Sequence, residues 1–306
     1  MGGRRAGNAT SRGHAVPPHV VAIGEVLWDE FPDGARLGGA PANFAVHCAG
    51  MGARVTLVSR VGQDSRGREA LDLLRGRGVG VDFVQRDPER PTGRVRVTLR
   101  DGRPSYEIVE GVAWDAIEWE ARLLPLAQGA DVVCFGTLAQ RSEQGRETLR
   151  RFGAACGKGC LKALDLNFRQ RYHSEEVVRE SLRLADVLKL SDEEVQTLRG
   201  YLRGAGDDRA FLNGVRERFG IETVVLTLGA EGCRVLGPEG DLRVSAAPRR
   251  VVNTVGAGDA FTAAFVLHRL AGREAFTCAD RGNRAWGYVA TQDSATPELP
   301  GEFWVF

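Results

Sequence analysis

The sequence predicts an α/β fold built on a mainly parallel sheet with helices on both faces. Three observations carry this reading. Six short runs, Val20–Ile23, Val55–Val58, Val132–Phe135, Ala163–Leu166, Val187–Leu190 and Thr223–Thr227, are apolar without alternation, as strands buried on both sides are. Helical segments separate most of them, which implies crossover connections. Polar and glycine residues gather directly after the runs, at the carboxyl ends where open α/β sheets bind ligands.

Taken in order, the run Val20–Ile23 is the first strand, and Gly24-Glu25-Val26-Leu27-Trp28-Asp29 follows it, placing Asp29 just past a strand end. A carboxylate there can accept two hydrogen bonds from neighbouring sugar hydroxyls. Leu37-Gly38-Gly39-Ala40-Pro41-Ala42-Asn43 then turns into a helix over Ala40–Gly50, with Pro41 suited to its first turn. Asn43 presents both a donor and an acceptor, as a polyol requires. After Val55–Val58 a helix is expected over Ser65–Arg77, entered by Ser65 as cap. Arg94–Arg100 alternates charged and apolar residues, Asp101-Gly102 marks a turn, and Ser105–Val109 returns. That is an antiparallel hairpin with one apolar face, suited to a lid or a dimer clasp.

Helices are expected over Glu143–Ala155, Ser174–Ala185 and Asp192–Leu202. Asp165-Leu166-Asn167-Phe168-Arg169 ends one strand with alternating polar residues, and Arg169 suits a substrate oxygen or phosphate charge. Ser191 and Glu194 have the spacing of a capping box. The glycines of Thr227-Leu-Gly229-Ala-Glu-Gly232 leave room for a nucleotide against the backbone.

The most informative stretch is Asn253-Thr254-Val255-Gly256-Ala257-Gly258-Asp259, which leads into a helix with Ala260, Ala263, Ala264, Leu267, Leu270 and Ala271 at helical spacing. A first turn made of small residues points several N–H groups into one volume, and the helix dipole adds positive potential, so the spot favours a phosphate. A carboxylate beside that phosphate belongs there as a proton acceptor. The combination reads as phosphoryl transfer to a hydroxyl.

Composition narrows the alternatives. The 306 residues suit one large α/β domain or two smaller ones, and 43% hydrophobic residues supply an ample core. With 41 basic against 40 acidic residues the net charge of +1 offers no general attraction to nucleic acid or an anionic membrane. No apolar run approaches the ~20 residues of a membrane span. The six cysteines form no C-x-x-C pair and read as reduced, mostly buried thiols of a cytoplasmic protein. The first 24 residues hold Arg4, Arg5 and Arg12 and no acid; a disordered extension over 1–18 is expected. Gly153–Gly159 imitates a Walker loop but has one residue too few between its glycines and no Ser or Thr after Lys158. Gly256–Phe261 lacks the third glycine of a dinucleotide fingerprint.

From about Val20 to Pro300 the chain resembles the PfkB sugar kinases, also called ribokinase-like. The resemblance rests on the order and separation of Gly-Gly-x-x-x-Asn at 38–43 and Gly-Ala-Gly-Asp at 256–259. The runs Gly24–Asp29, Phe31–Gly34 and Gly111–Asp115 look most like bacterial fructokinases. It implies a three-layer α/β/α domain over 19–306 with a β-lid at about 29–38 and 92–110 that closes over the sugar and mediates dimers. It implies that Asp259 is the catalytic base, that Gly256, Ala257 and Gly258 form the anion hole, and that Asp29, Gly39 and Asn43 contact the sugar. Arg169 is expected to bind substrate as well. Asn167, Thr227, Gly229 and Gly232 are expected on the nucleotide side, with Asn283 nearer the adenine. Glu194 is expected to order water around Mg2+ beside ATP.

Three positions depart from the family pattern. Asn253 replaces the usual Asp of a monovalent-cation site, Ser294 stands where Gly is commoner, and Ser191 replaces Asn. The first two leave K+ activation open. Fructose is the expected acceptor, with 2-keto-3-deoxygluconate, ribose, a nucleoside, or sugar binding without catalysis as alternatives.

Overall fold

The computed structural model describes residues 16–100 and 103–306. The expected extension over 1–18 therefore lies almost wholly outside the described residues, as does the Asp101-Gly102 turn.

The strands run β1 (His19–Ile23), β2 (Leu27–Phe31), β3 (Gly34–Gly38), β4 (Arg54–Gly62), β5 (Val79–Gly80), β6 (Val84–Asp87), β7 (Gly93–Arg100), β8 (Arg103–Ile108), β9 (Val132–Phe135), β10 (Leu161–Asp165), β11 (Val187–Ser191), β12 (Thr223–Thr227), β13 (Cys233–Gly237) and β14 (Gly240–Val244). The helices are α1 (Ala40–Gly50), α2 (Ser65–Gly76), α3 (Leu123–Gln128), α4 (Glu143–Ala155), α5 (Glu175–Leu184), α6 (Asp192–Leu202), α7 (Asp208–Phe219), α8 (Ala257–Leu270) and α9 (Ala275–Ala290).

The main sheet has the order β14-β13-β12-β11-β10-β9-β1-β4-β5, with β6 also paired to β4. Strands β5 to β12 along that path are parallel, and β13 and β14 are antiparallel additions at one edge. Successive residues of β1 feed opposite cores: Val20 and Ala22 pack with α1 and α8, Val21 and Ile23 with the α4 and α6 side. This is the three-layer α/β/α fold the pattern of buried runs predicts.

From β1 the chain moves one way, to β4 and β5, and later the other way, through β9 to β12. The order thus reverses between β1 and β9. Crossovers there diverge to opposite faces and leave a crevice beyond the strand ends.

A second, four-stranded sheet has the order β3-β2-β7-β8. Strand β2 pairs antiparallel with β3 and parallel with β7, so the expected hairpin β7–β8 is half of a larger lid. Asp29 consequently lies within a strand of this lid and not in a loop after β1. The helix at Ser65 is also entered differently than expected. Asp64 is the cap and accepts from the Gly67 N–H at 2.7 Å. Six cysteines are free, five of them buried. Among the described residues no helix is long and apolar enough to cross a membrane.

Candidate active site

The crevice between β1 and β9 gathers several buried polar and acidic residues. Glu25 after β1, Thr137 after β9, Asp165 at the end of β10 and Asn167 after it, and Asp259 and Thr262 from α8 line a narrow cleft that opens to solvent. Its opposite wall is Ala40, Pro41 and Phe44 at the start of α1.

Two helix N-termini meet here, each preceded by a glycine that no other residue could replace without cost. Gly39 precedes α1 with φ of 105°, and a Cβ on it would stand 2.5 Å from the Glu25 carbonyl oxygen. Gly256 precedes α8 with φ of 78°, and a Cβ there would stand 2.1 Å from the Ala295 carbonyl oxygen. Both combine a left-handed backbone with close backbone approach. Neither helix has a side-chain cap. Apart from the turn bonds at Ala257 and Ala260, the first N–H groups of α8 are thus open to a ligand.

The cleft brings Asn43 and Asp259, separated by 216 positions, into direct contact: the Asn43 amide donates to Asp259 Oδ2 at 2.9 Å. Burial, and then the neighbouring Asp165 carboxylate, raise the Asp259 pKa from 3.8 to about 7; Asn43, Lys189 and Arg169 oppose the rise. Burial also raises Glu25 to about 7, against its hydrogen bond from the Ala40 N–H at 3.3 Å and the pull of Arg169 and Arg141. Asp29 rises to about 6 through burial, opposed by Arg169. Its carboxylate packs over Gly38, where a Cβ would stand 2.4 Å from Oδ2. Three carboxylates poised near neutrality around one crevice are a signature of acid–base chemistry.

Arg169 is the cation these three share. The chain turns out of the β10 direction at Asn167, which has φ of 44°, and this leaves Arg169 exposed at the mouth. Among the described residues it forms no ion pair, so its guanidinium is available to an anion. The following residues tether the lid: Gln170 Nε2 donates to the Tyr106 carbonyl at 2.6 Å, and the Tyr172 hydroxyl to the Ile108 carbonyl at 3.0 Å.

The remaining expected residues lie farther along the strand ends. Thr227 is buried and its hydroxyl donates to the Leu190 carbonyl at 3.2 Å. Gly229 and Gly232 bound a tight turn after β12, with open space beside Gly229 and the Val244 carbonyl against Gly232. Asn283 is 6% exposed and spends its amide on the Val244 carbonyl at 2.9 Å, turned into the fold. Both Glu194 oxygens are engaged by backbone, Oε1 by the Phe168 N–H at 2.6 Å and Oε2 by the Ser191 N–H at 2.7 Å. Asn253 likewise serves its own loop, accepting from the Val255 N–H at 3.0 Å and donating to the Asp293 carbonyl at 3.3 Å.

Four residues of the site are not among those expected, although Glu25 and Asp165 belong to the runs Gly24–Asp29 and Asp165–Arg169. Glu25 and Asp165 are buried at strand ends, Lys189 sits inside β11, and His47 supports the Ala295 carbonyl from α1 through Nε2 at 3.1 Å. The signal available was a charge within an otherwise apolar strand run, since such a charge is kept only where it is paired.

The pfkB family carbohydrate kinase model matches residues 33–301. A protein of Arabidopsis thaliana named "Probable fructokinase-7" is 31% identical over 315 residues, covering 92% of this chain and 89% of the relative. A fructokinase of Vibrio cholerae O395, solved with fructose, ADP and a calcium ion, superposes with a TM-score of 0.79 at 25% identity over 94% of this chain and 97% of its own. A fructokinase of Xylella fastidiosa solved with ATP has a TM-score of 0.81 at 21% identity over 92% of this chain and 95% of its own, a likeness of fold. Since the family match takes in both helix starts that frame the crevice and almost everything between and around them, the chain belongs to the pfkB family of carbohydrate kinases.

Proposed function

We propose that the protein transfers the γ-phosphoryl group of ATP to the primary hydroxyl of a small sugar, with D-fructose as first choice and fructose 6-phosphate as product. The observation that carries this reading is Asp259: a carboxylate lifted to about 7, held by Asn43, on the first turn of an uncapped helix. A base must sit near the working pH to accept a proton and still be ionised.

In this reading the sugar lies between Asp29, Asn43 and the lid, with Gly39 allowing close approach. Asp259 takes the hydroxyl proton as the oxygen attacks the γ-phosphorus in line. The new P–O bond forms as the bond to the β-phosphate oxygen breaks, and ADP leaves. The open N–H groups of the Gly256-Ala257-Gly258 turn stabilise charge on the transferring oxygens. Arg169 supports the same charge from the mouth, and lid closure excludes water. The nucleotide lies past Asn167 toward Thr227, Gly229 and Gly232, with Asn283 nearer the adenine and held by its bond to the Val244 carbonyl.

Among the described residues no group of three acidic, His or Cys side chains could hold a metal. A Mg2+ would come with the nucleotide phosphates and water, and the remaining lone pairs of Glu194 would order that water. The neutral Asn253, engaged with Asp293, supports turnover without K+.

The fructokinases among the similar proteins support fructose. The unpaired Arg169 favours a second acceptor, an acidic sugar such as 2-keto-3-deoxygluconate, whose carboxylate a guanidinium binds. A coupled ATP-consumption assay over neutral and acidic sugars, with and without K+, tests this. Fructose is expected to be turned over best and K+ to change the rate by less than about 2-fold, far below the ~10-fold that 1.4 kcal/mol of cation-linked stabilisation gives. Good turnover of the keto-acid with none of fructose reverses the order. A homodimer through the lid belongs to the same proposal, since β3 and β8 each have one edge without a strand partner among the described residues. Light scattering showing a monomer at assay concentration removes it.

A further inference from the structure

Lys189 is a lysine in the middle layer of an α/β/α fold, and nothing in the mechanism above uses it. It pairs in register with Asp165 on the neighbouring strand. Its ammonium donates to Asp165 Oδ1 at 3.0 Å, and the two side chains are 12% and 10% exposed. The other oxygen, Asp165 Oδ2, accepts from the Thr262 hydroxyl at 3.0 Å. The same hydroxyl lies 3.0 Å from the Gly258 carbonyl oxygen, the alternative acceptor of its one proton. A Cβ added to Gly258 would stand 3.4 Å from Lys189 Nζ. The ammonium is therefore packed directly under the first turn of α8, the turn that carries Asp259.

We infer that Lys189 is a positioning residue for phosphoryl transfer: fixed by Asp165, its ammonium keeps the neighbouring Asp259 carboxylate ionised and ready to accept a proton, while bracing the phosphate-binding turn. The inference rests on the reading of Asp259 as the base.

The groups around Asp259 make the sign definite. Asp165 on β10 opposes its ionisation, as burial does. Lys189 on β11, Arg169 after β10 and the neutral Asn43 on α1 favour it. Cys134 on β9 and Glu25 after β1 share the cleft. Arg169 is exposed and solvent-screened, whereas the Lys189 side chain is only 12% exposed and its field is screened far less. Burial by itself lowers a lysine's pKa, yet the surrounding Asp165, Glu194 and Asp259 raise that of Lys189, so the ammonium stays charged across the working range. Without it, two neighbouring carboxylates face each other with Arg169 as the remaining cation and the neutral Asn43 and Thr262 as hydrogen-bond donors, and one is driven to protonate.

The test is the pH profile of kcat/KM for the best sugar in Lys189→Met, Asp165→Asn and the double variant, with thermal melts alongside. The acidic limb of Lys189→Met is expected about 1–2 pH units above wild type. Turnover then falls about 10–100-fold at pH 6 and by little at pH 9. Removing a lone member of a buried pair also threatens folding. The double variant leaves neither charge of the pair alone, and in Asp165→Asn the Lys189 ammonium keeps Asp259 and Glu194 as neighbouring carboxylates, so the melts of these two decide whether their limbs are compared on folded protein. The limb of the double variant is expected about 1–2 units above that of Asp165→Asn. Coincident limbs in that comparison overturn the inference and leave Lys189 a purely structural ion pair, visible only as a lower melting temperature. Wild-type protein without any sugar-dependent ATP consumption overturns the kinase reading, and this inference with it.

Discussion

Replacing Asp259 by Asn is expected to slow turnover by about 10²–10⁴-fold while sugar affinity stays within a few-fold. The substitution is close to isosteric, and the Asn43 amide can still donate to the new carbonyl oxygen as it does to Oδ2. What disappears is the lone pair that accepts the proton. A second readout separates this from general damage. Burial first, then Asp165, raises Asp259 from 3.8 to about 7. Between those values the folded state binds more protons than the unfolded one, so this group's contribution to stability declines as pH rises through the window. At pH 8 the native protein carries a buried carboxylate at a cost that Asn relieves. At pH 5 the carboxyl is already neutral and Asn changes little. The variant is thus expected to melt higher than wild type at pH 8, by about 3 °C or more, with a smaller difference at pH 5. A variant that keeps a third or more of wild-type turnover removes Asp259 from its role. Equal melting differences at both pH values leave the proton linkage without support.

Such a trade of stability for a working group explains which parts of the molecule were legible in its sequence. Helices α1, α4 and α6 and strands β9 and β12 begin and end where hydrophobic period, caps and turn residues place them. These signals are local, and local preference there agrees with tertiary packing. Strand β2 reads poorly because Leu27–Phe31 mixes apolar and acidic residues and runs into Pro32-Asp33-Gly34, so it resembles a loop; pairing with β3 and β7 makes it a strand. Helix α9 is obscured by Gly282 and Gly287, yet Gly282 is needed because the Phe261 ring of α8 would stand 2.7 Å from its Cβ. Of the site, the two glycine-framed turns were legible because their chemistry is local. The Asp165–Lys189 pair was not, since it exists only through the register of two strands 24 residues apart in sequence. Glu25 and His47 were hidden for the same reason: each looks like one polar residue in a buried segment until its neighbours are in place.

Gly256→Ala is expected to damage stability and turnover together. The left-handed φ of 78° costs an alanine about 1–2 kcal/mol by itself. The steric problem is larger. The added Cβ would meet the oxygen, carbonyl carbon and Cα of Ala295 at 2.1, 2.8 and 2.8 Å, all backbone atoms with no rotamer to yield. The Ala295 carbonyl is itself held by His47 from α1, so the loop cannot retreat without breaking a bond in the buried core. The remaining escape is a flip of residue 256 to negative φ, which redirects the chain entering α8 and with it the N–H groups that face the phosphate. Loss of one aligned donor to a transferring oxygen costs about 10²–10³-fold in kcat, and more than one is displaced here. Gly258→Ala is the control within the same turn: its φ is helical, and the nearest atom to its Cβ is Lys189 Nζ at 3.4 Å, the end of a flexible side chain. Thermal melts and the coupled assay are expected to show Gly256→Ala both destabilised and at least about 100-fold slower. Gly258→Ala keeps its melting temperature within about 2 °C, a fraction of a kcal/mol for a domain this size. Two variants that melt alike and turn over alike are incompatible with a rigid, glycine-dependent cradle at the start of α8, since only one of the two substitutions meets immovable backbone.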